Sequence, residues 1–95
     1  MACPRQKKDV IARRIGDTIV VIKEDGLSSH ILNKTAAYIW ELCDGNTDIE
    51  AIARRVHQQF EVSFEDAHQD TVSLIEELKR AGILNIAKGI GDRIR

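Results

Sequence analysis

Five apolar residues, Ile49, Ile52, Ala53, Val56 and Phe60, stand at positions i, i+3, i+4, i+7 and i+11. This spacing lines one side of a 3.6-residue turn, so an amphipathic helix here is the firmest constraint on the fold. Thr47-Asp-Ile-Glu50 precedes it, a capping box in which Thr47 and Glu50 satisfy each other's free amides. A second start signal, Ser63-Phe-Glu-Asp66, opens a longer helix to about residue 81, stopped by Gly82. Its inner face is Phe64, Ala67, Thr71, Leu74, Ile75 and Leu78. Upstream, Asn33 suits an N-cap, and residues 35–43 form a first helix closed by Asp44-Gly45. Ala36, Ile39, Trp40 and Cys43 share one of its faces, where Trp40 and Cys43 are expected as core.

The N-terminal third has a different period. Thr18-Ile-Val-Val-Ile-Lys23 is a strand by its β-branched composition, and Glu24-Asp25-Gly26 is a hairpin turn. Ile11-Ala-Arg-Arg-Ile15, ended by Gly16-Asp17, forms a strand before it; residues 27–32 form the partner after it. In that partner Leu27, Ser29 and Ile31 point one way, and Ser28, His30 and Leu32 the other. A strand only half hydrophobic suits a sheet edge. The order is an α+β, winged helix-turn-helix-like plan: a three-stranded antiparallel sheet followed by three helices. Residues 1–10 read as a basic, flexible lead-in, residues 11–86 as the domain, and residues 87–95 as a frayed tail, with a short strand at residues 83–86.

Chemistry is conspicuously thin. At 95 residues the chain has room for one modest core and little spare structure to enclose an active site. His30, His57 and His68 fall on three different elements without a nearby cysteine, so no metal site is expected. Ser29 and His30 point to opposite faces of a strand and cannot form a nucleophile–base pair. Ser28 and His30 share a face but lack a neighbouring acid. Single glycines at turns make no phosphate loop. We therefore expect no catalytic residue, no cofactor and no metal. Cys3 and Cys43 form no disulfide framework, and no signal peptide or membrane span is present, which points to the cytoplasm.

A winged-helix plan raises DNA binding as a rival, with a regulator's last helix in the major groove. Here that helix carries Glu65, Asp66, Asp70, Glu76 and Glu77, and its first Lys or Arg is Lys79. Carboxylates facing phosphate repel it, and fourteen basic against fifteen acidic residues give no overall steering. No nucleic acid or membrane partner is expected. A scaffold subunit docking directly on an enzyme is a third reading.

The stretch Gly26-Leu-Ser-Ser-His-Ile-Leu-Asn-Lys-Thr-Ala-Ala-Tyr-Ile-Trp-Glu-Leu-Cys-Asp-Gly45 resembles the PqqD family, named for pyrroloquinoline quinone biosynthesis. Asp48-Ile-Glu-Ala-Ile52 and Leu74-Ile-Glu-Glu-Leu-Lys-Arg-Ala-Gly-Ile-Leu84 are similar to its second helix and third-helix exit. The resemblance covers about residues 11–85. It implies a recognition element for ribosomally made, enzymatically modified peptides. In that family the precursor's leader adds as a strand beside the third strand and third helix, and is delivered to a modifying enzyme, often a radical S-adenosylmethionine protein. The residues themselves fit that mode, because an edge strand has free amides and carbonyls that template a partner. The candidate peptide site is Leu27, Ser28, Ser29, His30, Ile31 and Leu32, with His68, Val72, Ile75 and Lys79 on the long helix. The same edge could pair two copies as a homodimer.

Overall fold

The computed structural model describes residues 3–26 and 28–87. Its elements are β1 (Cys3–Gln6), β2 (Val10–Ile15), β3 (Thr18–Lys23), β4 (Ser29–Leu32), α1 (Lys34–Leu42), α2 (Ile49–Phe60), α3 (Phe64–Arg80) and β5 (Leu84–Ala87). β2, β3 and β4 form the expected antiparallel sheet, ordered as in sequence. Its inner face buries Ile19, Val21 and Leu32 against the helices, while Ile11, Ile15 and Ile31 stand exposed on the outer face. Among the described residues no helix is long and apolar enough to cross a membrane.

The N-terminal segment is not a flexible lead-in. Cys3–Gln6 pairs antiparallel with Leu84–Ala87 in a second, two-stranded sheet. Pro4 is fully buried, the Gln6 amide donates to the Cys43 carbonyl, and Gln6 Nε2 donates to the Trp40 carbonyl at 2.8 Å. The segment is held by partners about eighty residues away in sequence, which its basic local composition does not reveal. The expected final strand lies one residue later than residues 83–86, so Ala87 is part of it; residues 88–95 of the expected tail lie outside the described residues.

Each helix begins on a side-chain cap. Asn33 accepts from the Ala36 amide, as its sequence position suggests, and α1 runs one residue earlier than expected at each end. Ala37, not Ala36, joins Ile39 and Trp40 in the core. α2 is capped by Asp48, which accepts from the Ala51 amide at 2.7 Å, and not by Thr47. Thr47 is already committed: its amide and hydroxyl both donate to the Asp44 carboxylate, which also accepts from the Asn46 amide. These contacts, the Asn46 amide first, hold the Asp44 carboxyl below its ordinary value. Ser63 caps α3 by accepting from the Asp66 amide.

α3 ends in a Schellman turn. The Gly82 amide donates to the Lys79 carbonyl and the Ile83 amide to that of Leu78, with Gly82 at φ 82°. That reversal puts Ile83 and Leu84 into the core and sends β5 back along β1. Ala67, Thr71, Ile75 and Leu78 are the buried line of α3; Phe64 and Leu74 are half-buried at its margins. The Thr71 hydroxyl is satisfied within the helix by the Ala67 carbonyl.

Candidate peptide-binding edge

The hydrogen-bonding phase of β4 decides which of its amides are free. β3 and β4 pair Ile19 with Leu32, Val20 with Ile31, Val21 with His30 and Ile22 with Ser29. One rung further, the Lys23 amide donates to the Ser28 carbonyl at 3.1 Å. In an antiparallel ladder bonded and non-bonded pairs alternate, so Ser28, His30 and Leu32 direct their backbone groups toward β3. Ser29 and Ile31 direct theirs outward. The β2 side agrees: Glu24 donates to the Asp9 carbonyl, which turns Val20 and Ile22 toward β2 and leaves Ile19 and Val21 for β4. No group among the described residues bonds the outward amides of Ser29 and Ile31.

Side chains follow the same alternation. Leu32 is buried and His30 half-buried on the inner face; Ser29 and Ile31 are exposed, Ile31 to 75%. Leu27 lies outside the described residues, and Ser28 is half-buried at the start of the edge.

Beside this edge runs a groove closed on its far side by α3. One part, a cavity of about 370 Å³, is lined by His30, Ile31 and Leu32 from β4 and by Leu74, Glu77 and Leu78 from α3. The other, about 300 Å³, continues past Thr35 toward Asp70, with Asn33, Ala36 and Leu74 common to both. α3 therefore runs alongside β4 in the opposite sense, its Asp70 end near Thr35, beyond the end of β4, and its Glu77 end near His30. On the sheet's opposite edge, Arg14 of β2 pairs with Glu41 of α1, near Asp17 and Lys34.

The α3 residues expected from sequence do not meet this groove. His68 and Val72 line a separate depression with Glu65, Gln69 and Ser73. Ile75 is buried in the core, and Lys79 lies with Glu76 and Arg80 in a third depression. The reason is geometric. The buried line Ala67–Thr71–Ile75–Leu78 has two margins; sequence favours the one with Val72, whereas the sheet faces the one with Leu74. Each margin carries apolar residues, so helical spacing alone cannot choose between them. Asp70, Leu74 and Glu77 line the groove instead, and the sequence reading did not single them out as a site. Their signal is a ridge at i, i+4 and i+7.

Cys43, at the end of α1, is buried and its thiol donates to the Ile39 carbonyl. Burial first, and the neighbouring Asp44 charge second, push that thiol up to about 12. It is a packed side chain held in the protonated form at neutral pH. Among the described residues no cluster of three or more His, Cys, Asp or Glu is placed to hold a metal.

The fold itself is shared with solved structures. No curated protein matches the sequence. Among solved structures, TbiB1 in complex with the TbiA(beta) leader peptide superposes with a TM-score of 0.76 at 18% identity, covering 85% of this chain and 94% of that one. Lasso peptide synthetase B1 complexed with the leader peptide gives 0.77 at 22% identity, covering 86% and 96%. The sequence profile of coenzyme PQQ synthesis protein D (PqqD) matches residues 18–84, from β3 through the first residue of β5. The chain belongs to the PqqD family.

Proposed function

We propose that this protein is a non-catalytic module that captures the leader of a precursor peptide as an added strand on β4 and presents it to a modifying enzyme. The observation that carries the reading is the pair of outward backbone positions, Ser29 and Ile31, facing open space beside the α3 groove. The two similar structures are complexes with leader peptides, which supports a peptide as the occupant. α3 speaks against DNA, because Glu65, Asp66, Asp70, Glu76 and Glu77 are all exposed.

Magnitudes favour a carrier that releases. Two outward residues offer four backbone hydrogen bonds, contributing ~2–6 kcal/mol in total. Micromolar affinity requires about 8 kcal/mol, so the backbone edge alone falls short. One or two leader side chains buried against Leu74 and Leu78, at ~1.5–3 kcal/mol each, bring binding into that range. Holding the leader there raises the local concentration of the attached core peptide at the enzyme, without new chemistry. The PqqD resemblance makes a radical S-adenosylmethionine protein the enzyme class to try first, with the cytoplasm as the setting.

The test is to select a binder from a library of unstructured peptides and follow backbone amide shifts as it is added. A footprint on residues 28–33 together with residues 70–78 upholds the proposal. A footprint centred on α2 overturns it.

A further inference from the structure

Two carboxylates bracket the groove. Asp70 and Glu77 stand on the α3 ridge facing β4 and its exit, seven residues apart, with Leu74 between them. On a helix that separation is about 10 Å. Both side chains are exposed, and neither has a cationic partner among the described residues. No lysine or arginine lines either part of the groove. The helix's own cations, Lys79 and Arg80, lie in another depression beside Glu76.

We propose that the peptide taken up on β4 carries a basic–x–apolar–x–basic stretch, its two cations meeting Asp70 and Glu77 and its middle side chain meeting Leu74. This rests on the edge-strand reading above and names the class of peptide that the edge selects. An added strand turns every second side chain toward the groove, with successive ones ~6.7 Å apart. Residues i and i+4 are therefore about 13 Å apart, against a rise of about 10 Å from Asp70 to Glu77 along the helix. The flexible stems of Lys or Arg close that difference easily, whereas a short side chain does not. The residue at i+2 falls opposite Leu74, where an apolar group is favoured. Ion pairs at an exposed rim are individually weak, so the charges set preference and the backbone and apolar contacts set affinity.

The experiment uses three short synthetic peptides in a threonine-rich extended host, each with Leu at the middle position. They carry Lys, Gln or Glu at both flanking positions. Titrated at low salt, the Lys peptide should bind about tenfold tighter than the Gln peptide, with the Glu peptide weaker again. High salt should close the gap. The Asp70→Asn, Glu77→Gln double variant, altered only at exposed positions, should bind all three alike. Equal affinities in the unaltered protein, or a preference that survives in the double variant, overturn the charge assignment. If all three bind alike and shift the Ser29 and Ile31 amides, that assignment alone falls. If none binds and those amides stay unmoved, the edge-strand reading falls with it.

Discussion

Trp40 is 2% exposed at the centre of the core, and its carbonyl accepts the Gln6 side chain. Trp40→Ala should cost about 3–5 kcal/mol in urea unfolding, a large share of what a domain this size possesses. Its loss of binding would then be a folding effect; a cooperatively folded variant that merely fails to bind would place Trp40 in the site instead. Cys43 makes a pH prediction. Its thiol is raised from 9.0 to about 12 by burial and by Asp44, so the fold favours the protonated form. That stabilisation is complete below pH 9 and is lost as pH climbs toward 12. Unfolding midpoints measured across that window should fall more steeply for the native protein than for Cys43→Ala. Both residues were legible in sequence, because their spacing with Ile39 marks one helix face. Thr47 was misread for a local reason: Asp44, three residues before it, takes the groups that a capping box would need.

At the level of elements, β4 offers a paired test. The Ile31 amide points outward and the His30 amide points to Val21. Ile31→Pro removes a donor that the fold does not use, so binding should weaken while thermal unfolding changes little. His30→Pro removes a ladder bond and should lower stability by about 1 kcal/mol or more. If both variants lose stability equally, the phase assigned to the ladder is wrong. The hairpin and all three helices were legible because turn residues, caps and periodicity are local signals. β1 was not, since Cys3–Gln6 is specified by pairing with Leu84–Ala87 and by burial of Pro4, neither of which is local. Deleting residues 1–6 should therefore lower the urea midpoint clearly, whereas removal of a loose lead-in would leave it unchanged.

For the whole molecule, the fold sets a sheet edge and a helix side by side and leaves the space between them open. The sequence showed the edge through the mixed polarity of residues 27–32, and showed the helix through its capped, periodic run. The margin of α3 that turns toward the sheet depends on how the helix rolls against α2 and β5, which no single-helix pattern encodes. A homodimer through β4 would use the same Ser29 and Ile31 amides as an added peptide strand, so added peptide should dissociate it in sedimentation experiments. The most direct measurement is amide hydrogen exchange at single residues of β4, with and without a bound peptide. Ser29 and Ile31 should exchange freely in the protein alone and become protected on binding, while His30 and Leu32, already bonded to β3, change little. A peptide that binds while the Ser29 and Ile31 amides go on exchanging freely would contradict strand addition at β4.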